Sequence, residues 1–584
     1  MTLLSAALES LSLLAKPGDF FWTSAIFEKE LWERVMKGMR VGLTVGGALL
    51  LIYEMRAKRM GERIKEKHKR WVAYAMTFLA FGVYFDFGNP NTRYSEYYHR
   101  HEFYHYYLGS KYFKEVGYKD LYFCTAIAEI EAGRGAQVKK REIRDLNVNL
   151  IKPMESTYVV KDPDQCKKRF TPERWAAFKN DVDWFYKSAA GSYWESMMKD
   201  HGYNPPPVWG MAGKFFGSFA PAGDVFFKIL SGIDILFHLG TVLLFGWAFG
   251  WRAMAVATVF WGCNAPANFY WTGGAFLRQD WIFFLIAALC LCKKRWFFLA
   301  GAALTWSALL RIFPIILFFG WGIIMGLYIL DRLRFHGGLQ QNGLKGLLHR
   351  DHWRLLGGVA VALGVLVPAS LAVNGKDSYS QFYHHTITTH ANTPLTNQMG
   401  LETMVVHNWD GRMRFMRDDN MDDPFEGWKK HRIEMKHQRM PLFLAIIAGV
   451  ALWTVWALRR TRLLWVAIPL SVPMLMCLTN LTCYYYSFFM TLAALITVRP
   501  QLGPAILATS GASTILLYSP SGYYWVDDRY TAQSWLFFAL ALLALYAYSR
   551  PFSIERLKAW WNHQPEPRKA AKPRGEIGAP TPAE

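Results

Sequence analysis

The sequence between Asp86 and Tyr122 is dense in Tyr, Phe and His and holds several side chains suited to acid–base chemistry. Asp86 comes directly after an apolar segment that ends in Tyr84 and Phe85. A carboxylate at such a boundary is partly desolvated, which strengthens it as a proton acceptor. The alternative is that Asp86 caps the turn that follows, as Asp often does before Gly, Asn and Pro. The other candidate polar residues of this stretch are Arg93, Glu96, His99, His101, Glu102 and His105.

A literal HExxH motif lies in this stretch, with His101 and His105 one helical turn apart. On a helix the two imidazoles share a face and can bind zinc, with Glu102 as general base and Glu129 or Glu131 as a third ligand. The motif is short and its surroundings are rich in His and Tyr, so a chance match is the simpler explanation. We therefore predict no metal here: the histidines pack at a membrane interface and Glu102 pairs with a nearby Arg or Lys. A zinc site is the alternative.

The composition favours a membrane protein. Of 584 residues, 52% are hydrophobic and 16% aromatic, whereas 19% are charged. A disordered chain has few aromatic residues, so the disordered and fibrous classes are excluded. Mean hydropathy is only +0.06, which is low for a membrane protein. Many apolar spans diluted by a few large polar loops explain both values.

Apolar segments long enough to cross a bilayer recur along the chain. They predict an all-α polytopic membrane protein with about thirteen transmembrane helices. The residues Arg311-Ile312-Phe313-Pro314 predict a turn or kink, because proline removes a helix hydrogen bond. The predicted spans are 39–55, 71–85, 226–250, 253–272, 277–292, 296–311, 313–330, 355–373, 441–458, 463–479, 482–498, 504–518 and 533–549.

The charge indicates how the chain is oriented. Lys and Arg number 66 and Asp and Glu 45, so the net charge is +21. The connections on one side of the predicted membrane carry twenty of these charges, and the positive-inside rule makes that side cytoplasmic. The long connections on the other side, 86–224 and 374–440, are nearly neutral. The excess of positive charge therefore indicates the orientation of the chain in a bacterial plasma (inner) membrane and does not indicate a nucleic-acid partner. We expect the basic run 56–70 to lie against anionic membrane lipids.

These spans divide the chain into seven parts. They are an extracytoplasmic or interfacial N-terminal segment (1–38), two spans (39–85), a large helical extracytoplasmic loop with the candidate acid (86–225), central membrane helices (226–373), a second extracytoplasmic loop (374–440), C-terminal membrane helices (441–549) and a cytoplasmic tail (550–584). The end of the tail is rich in Pro, Ala, Lys and Arg, a composition typical of disorder.

Two pairs of residues on the extracytoplasmic side leave alternatives open. Cys124 and Cys166 share the large loop, where an oxidising environment allows a disulfide; two buried thiols are the alternative. Asp527 and Asp528 are adjacent in the last outer loop. Such a pair can bind a divalent cation, although surface capping is the simpler role. No cofactor is predicted beyond this candidate divalent cation.

Five patterns follow one another along the chain. They are Asp86 at the outer end of a span, YYLGSKYFKEVGYKDLY (106–122), PANFYWTGGAFLRQDWIFFL (266–285), FLAGAALTWSALLRIFP (298–314) and TNQMGLETM (396–404). In this order and topology they resemble GT-C-type polytopic glycosyltransferases, most of all the polyprenyl-phosphate-mannose-dependent α-mannosyltransferase-like family. The resemblance covers roughly 71–500. The chain departs from the family pattern at Arg278, where Gly is usual, and at Arg311, where Lys is usual.

The resemblance implies transfer of a hexose, for instance mannose, from a polyprenyl-phosphate-linked donor to a glycan or glycolipid acceptor. Asp86 would be the general base for the acceptor hydroxyl. The donor phosphate would need cationic or hydrogen-bonding partners. Arg311 is a candidate, with a snorkelling side chain equally open, whereas snorkelling is favoured for Arg278. The other candidate substrate-binding residues are Arg93, Glu96, His105, Gln279, His390, Asn397 and Gln398.

Two other functions stay open. A membrane zinc metalloprotease would use the HEFYH motif at 101–105. A transporter or flippase of lipid-linked substrates predicts charged residues buried within the spans. The predicted spans are poor in such residues, which weighs against transport.

Overall fold

The computed structural model describes residues 29–89, 97–336, 343, 345–390, 392–421, 423–518 and 525–564. Helices make up 75% of the described residues and strands 2%, which confirms the predicted helical class. Six of the described helices are long and apolar enough to cross a membrane: Leu31–Arg59, Asp224–Phe249, Phe313–Phe335, Arg350–Asn374, Met440–Leu458 and Val526–Tyr548. The predicted count of about thirteen spans is not confirmed and stays a prediction.

Proline and polar residues shorten several of the other predicted spans. The helix Trp251–Cys263 ends where Asn264 precedes Pro266, well before the predicted end at 272. Further along, Pro473 follows the junction between Leu464–Leu470 and Val472–Leu478. Of the six spans above, the first lies within the helix Lys29–Arg59, and the third consists of the 3₁₀ turn Phe313–Leu317 and the helix Phe318–Phe335. The remaining elements of the apolar regions are Glu66–Tyr84, Phe269–Thr272, Asp280–Lys293, Phe297–Leu310, the 3₁₀ segment Cys483–Thr497 and Leu502–Tyr518, and a terminal helix follows at Ile554–Trp561.

The polar region between the early and central apolar helices is built from short elements. Its helices are Arg100–Phe103, Gly109–Lys111, Phe113–Val116, Leu121–Glu129, Gly135–Lys139, Tyr158–Lys161, Asp164–Lys167, Pro172–Ser188, Gly191–Met197 and Pro207–Gly217. Tyr104–Leu108 and Ile130–Arg134 are π-helical, and Asp86–Gly88 and Met154–Ser156 are 3₁₀ turns. Glu142–Asp145 pairs antiparallel with Leu150–Pro153, a hairpin that the helical prediction for this region missed.

The second polar segment is also mostly helical. It contains Ser378–Phe382, the π-helical Tyr383–His390, Leu401–Val406, Met413–Met416 and Glu426–Gln438. A two-residue strand, Gln398–Met399, pairs antiparallel with Leu481–Thr482. This pairing ties the second polar segment to the start of a C-terminal apolar segment.

A disulfide joins Cys124 and Cys166, whose Cα atoms are 5.7 Å apart. Of the two alternatives left open by the sequence, the structure therefore contains the bonded one. The bridge connects the helix Leu121–Glu129 to Asp164–Lys167. The hairpin of Glu142–Asp145 and Leu150–Pro153 lies between the two cysteines, so the bridge holds this segment against the aromatic core of the polar region.

A buried ion pair stabilises this polar region. The Asp181 carboxylate accepts hydrogen bonds from Nζ of Lys111 and the hydroxyl of Tyr112, each at 2.8 Å, and from the amide of Ala222 at 2.8 Å. The side chains of Lys111 and Asp181 are 10% and 1% exposed. Because every partner is fixed, the pair connects the helix Pro172–Ser188 to two other parts of the region.

We expect Asp181→Ala to lower the free energy of unfolding by about 3–5 kcal/mol, since it leaves the Lys111 ammonium buried without its carboxylate. The midpoint of thermal unfolding of the purified protein measures the effect. Asp164→Ala is the matched control, because that side chain is 80% exposed and pairs only with a lysine on its own helix at 3.9 Å. An equal shift of the unfolding midpoint in both variants would show that the buried ion pair of Asp181 stabilises the fold no more than an exposed one.

Two glycines allow the backbone approaches that place the start of the polar region. A Cβ on Gly262 would lie 2.3 Å from the carbonyl oxygen of Ala80, so glycine lets the helices Trp251–Cys263 and Glu66–Tyr84 touch. Gly274, at φ +65°, would place a Cβ 2.1 Å from the carbonyl oxygen of Tyr97. The residues on either side of Asp86 are thus packed against the central helices.

Candidate functional site

Asp86 lies in a tight turn at the end of the helix Glu66–Tyr84, as the sequence predicts. Asp86 and Phe87 have positive φ angles of 48° and 51°, which non-glycine residues rarely adopt and which concentrate at functional sites. The Asp86 side chain is 14% exposed, and its Oδ1 lies 3.5 Å from Nη2 of Arg40. The Asn89 amide donates to the Asp86 carbonyl at 3.1 Å, so the turn considered as an alternative is also present.

The hydroxyl of Tyr97 lies within electrostatic range of Asp86 and of a second carboxylate, Asp234. Burial first, and then the Asp86 and Asp234 charges, raise the pKa of the Tyr97 hydroxyl. The hydroxyl therefore stays protonated at neutral pH and can donate a hydrogen bond between the two acids. This electrostatic contact connects the Asp86 turn to the interior of the protein.

Asp234 is a buried carboxylate in the middle of the apolar helix Asp224–Phe249. It accepts hydrogen bonds from the backbone amides of Arg278, at 3.0 Å, and Gln279, at 3.2 Å. These amides precede the helix Asp280–Lys293, whose N-terminus favours an anion. The prediction that spans are poor in buried charge is wrong here, although a lone Asp within an apolar span could have revealed it.

Arg278 is buried, and the expectation that it snorkels outward is wrong. Its Nε lies 2.9 Å from Oε2 of Glu102, and the two side chains are 3% and 14% exposed. The guanidinium also lies 4.5 Å from the ring centre of Tyr106 and 5.2 Å from that of Tyr484. Glu102 therefore pairs with an arginine, as the simpler interpretation of the HExxH motif predicts.

Arg311 lies buried at the end of the helix Phe297–Leu310, with 4% of its surface exposed. Its Nη1 donates to the carbonyl of Leu310 at 2.7 Å. Within the described part of the chain, its Nε and Nη2 make no hydrogen bond. The guanidinium lies 5.5 Å from the ring centre of Trp209, and its charge acts on the buried Asp280 carboxylate. Arg311 thus has two donors available inside the protein.

Asp234, Arg278, Gln279, Asp280 and Arg311 are called the interior cluster below. Its members are all buried, and they come from three different helices or their ends. Gln279, a predicted substrate-binding residue, donates from Nε2 to the Thr272 hydroxyl at 3.0 Å. The cluster offers anionic, cationic and amide groups shielded from water, where electrostatic interactions are strong.

His105, a predicted substrate-binding residue, lies in a histidine-rich group with His101 and Asp200. Nε2 of His101 is 2.8 Å from Oδ2 of Asp200, and the rings of His101 and His105 are 4.6 Å apart. Burial, and then the neighbouring His101, lower the pKa of His105 to about 4. Sequence spacing predicted that the two histidines share a face, but Asp200 rather than Glu129 or Glu131 joins them.

The predicted residues of the second polar segment take up local hydrogen bonds. Nε2 of His390 lies 3.3 Å from Nδ2 of Asn204. The Asn397 carbonyl accepts from the Cys483 amide at 2.9 Å. Oε1 of Gln398 accepts from Nδ2 of Asn480 at 2.9 Å and from the Leu395 amide at 3.0 Å. Asn397 and Gln398 therefore support the strand pairing of this segment, whereas His390 bridges the two polar segments. Arg93 and Glu96 lie outside the described residues.

Asp527 and Asp528 form a second group with His407, whose ligand-type atoms lie within 4.8 Å of one another. Nε2 of His407 is 3.3 Å from Oδ1 of Asp528, and Nη1 of Arg412 is 3.7 Å from its Oδ2. Oδ2 of Asp527 accepts from the Met413 amide at 2.9 Å. Oδ2 of Asp528 accepts from the Trp525 amide at 3.0 Å and so caps the helix Val526–Tyr548, although both carboxylates are buried rather than at the surface. The arginine already supplies a positive charge, which makes this a less favourable place for a divalent cation.

Comparison with known proteins reveals no relative. The chain matches no family model, and no curated protein or solved structure matches it. Several residues of the site were also missed by the sequence pattern: Arg40, Tyr97, Asp234 and Asp200. Their functional assignment depends on the contacts described above.

Proposed function

We propose that the chain is a multi-pass membrane glycosyltransferase. It transfers a hexose, for instance mannose, from a polyprenyl-phosphate-linked donor to a glycan or glycolipid acceptor on the extracytoplasmic side of a bacterial inner membrane. The observation that carries the proposal is the buried guanidinium of Arg311, with two donors that make no hydrogen bond in the described chain. The charges of Asp86 and of Asp234, a member of the interior cluster, both act on the Tyr97 hydroxyl.

A phosphate group fits the environment of Arg311. Nε and Nη2 share one edge of the guanidinium, and this edge binds phosphate or carboxylate through two parallel hydrogen bonds. A buried arginine without a carboxylate in direct contact is costly, so such a residue near apolar helices is usually functional. Among the described residues, no carboxylate lies within 4.0 Å of Arg311 to neutralise it. A lipid-linked phosphate entering between the helices would supply that charge.

In the proposed reaction, Arg311 and Asp86 have separate roles. The acceptor hydroxyl oxygen attacks the anomeric carbon of the donor sugar, and the bond from that carbon to the phosphate oxygen breaks. The polyprenyl phosphate leaves with the electron pair, and Arg311 stabilises the negative charge that develops on it. Asp86 takes the proton of the acceptor hydroxyl. Gln279, His105, His390, Asn397, Gln398, Arg93 and Glu96 are proposed to bind substrate.

A donor screen tests this proposal. The purified protein in detergent micelles is mixed with polyprenyl-phosphate-mannose or other polyprenyl-phosphate hexoses, and release of polyprenyl phosphate is followed. We expect turnover of at least one lipid-linked hexose and none of the nucleotide-linked sugars. The absence of turnover with every lipid-linked hexose, by protein that is folded and monodisperse, would contradict the proposal.

A flippase of lipid-linked substrates is the second candidate, favoured by one observation. Asp234 is a buried charge in the middle of an apolar helix, which is a feature of transport pathways. Its hydrogen bonds to two backbone amides give it a structural role as well. A fluorescent lipid-linked sugar moved across proteoliposomes without release of the sugar would favour this candidate. The metalloprotease is less supported, because Glu102 pairs with Arg278.

A further inference from the structure

Three potential metal ligands converge where the HExxH segment meets the residues after the helix Gly191–Met197. They are His101, His105 and Asp200, whose ligand atoms lie within 4.8 Å of one another. His101 and Asp200 are in direct contact, with 2.8 Å between Nε2 and Oδ2. We propose that these three residues bind one divalent transition-metal ion of the Zn²⁺ class. The site is distinct from Asp86 and the interior cluster, and it shares only His105 with the residues proposed to bind substrate.

The hydrogen bonds of His105 prepare one of its nitrogens as a ligand. Nδ1 lies 2.7 Å from the carbonyl oxygen of His101, a distance that places its proton on Nδ1. Nε2 then carries a lone pair. Metal-bound histidines commonly donate their other N–H to a backbone carbonyl in this way, which holds the ring in its orientation. The side chain is buried, so the orientation is set by packing.

The short contacts of His105 and Tyr122 outnumber the protons that could form hydrogen bonds in them. Nε2 lies 2.6 Å from the Tyr122 hydroxyl oxygen and 3.0 Å from the Met197 carbonyl oxygen. The Tyr122 hydroxyl also lies 3.0 Å from the Asp200 carbonyl oxygen. A neutral imidazole and one hydroxyl supply two protons for four short contacts. A cation bound at Nε2 removes the deficit, because the Tyr122 proton can then go to the Asp200 carbonyl.

The ligand set suits zinc chemically. Two imidazoles and a carboxylate are a common set for Zn²⁺, with ligands at about 2.0–2.2 Å and a fourth position open to water. Tetrahedral ligands are then roughly 3.3–3.5 Å apart, so small side-chain movements close the site. The Asp200 side chain is 45% exposed and that of His101 22%, so an ion can enter from solvent. Glu102 faces Arg278, which leaves the ion without the general base of a metalloprotease.

The rival explanation is an imidazolium at His105 without metal. Two N–H groups and the Tyr122 hydroxyl would then supply a proton for each of the contacts to His101, Tyr122 and Asp200. Zinc uptake is the observation that separates the two explanations, because only the metal site predicts one bound Zn²⁺ per chain that depends on His101 and Asp200.

The test measures zinc on the full-length protein, purified without chelator or zinc. Elemental analysis gives the bound metal, and titration with Zn²⁺ against a chelating indicator gives the affinity. We expect one Zn²⁺ per chain, with affinity reduced at least about tenfold in His101→Ala and in Asp200→Asn. Co²⁺ in place of Zn²⁺ should give the visible absorption of a tetrahedral site, and both variants should lose it.

His384→Ala is the matched control, because this histidine is exposed and lies on the second polar segment. It should bind zinc as the unchanged protein does. The two site variants alter partly exposed side chains, so we expect them to fold, and their thermal unfolding checks this. The proposal is overturned if the unchanged protein takes up no zinc, or if the two site variants bind it as tightly as the control. Because the readout is metal content, the result is independent of hexose transfer.

Discussion

Replacing Asp86 by Asn is expected to lower the rate of hexose transfer by about 10²- to 10⁴-fold, the usual contribution of a general base. Asn has nearly the same shape as Asp but cannot take up the proton of the acceptor hydroxyl. The turn around Asp86 is supported by backbone contacts, including the amide of Asn89, and these survive the exchange. The loss should therefore appear in catalysis rather than in folding.

Initial rates of polyprenyl phosphate release, at saturating donor and acceptor, measure this effect as kcat. Asp410→Asn is the matched control. Asp410 is exposed in the second polar segment, and its replacement by Asn removes the same negative charge. The thermal unfolding midpoint of each variant shows whether the fold is retained. Unchanged kcat in a folded Asp86→Asn protein would show that Asp86 is not the general base. Loss of the fold would show instead that Asp86 stabilises the turn.

Replacing Arg311 by Ala should lower kcat/KM for the lipid-linked donor by about 10²- to 10³-fold, as loss of one donor to a developing anion does. Nε and Nη2 of Arg311 are the donors in question, and in the described chain neither has a hydrogen-bond partner. The substitution also removes the Nη1 bond to Leu310 and the charge that acts on Asp280, so the thermal unfolding midpoint of the variant is measured beside its kinetics. The effect should depend on the phosphate of the donor and much less on the identity of the sugar.

Arg311→Lys gives the sharper comparison. Lysine keeps the charge but cannot form the two parallel hydrogen bonds of a guanidinium, so partial activity is expected. Arg417→Ala serves as control, since Arg417 is exposed and pairs locally with Asp419 at 2.6 Å. Equal donor kinetics in Arg311→Ala and the unchanged protein, with the fold intact, would show that the phosphate binds elsewhere.

Local features of the site were predictable from the sequence. Asp86 follows a helix end, Arg311 and Pro314 interrupt an apolar segment, and His101 and His105 share a helical face. Each depends on residues within a turn or two of one another, where backbone propensity and apolar periodicity act. The Cys124–Cys166 disulfide was predictable only as one of two alternatives, because spacing alone does not show whether two distant thiols meet.

The sequence by itself thus determined the helical class, the apolar segments and the position of Asp86 beside one of them. Only the tertiary structure decided the partners. Glu102 meets Arg278, Asp234 meets the amides before Asp280, and Asp200 joins the two histidines. These residues are far apart along the chain, and their contacts depend on how helices pack, so no local pattern encodes them. In the same packing, no hydrogen-bond acceptor of the described chain lies within reach of Nε and Nη2 of Arg311.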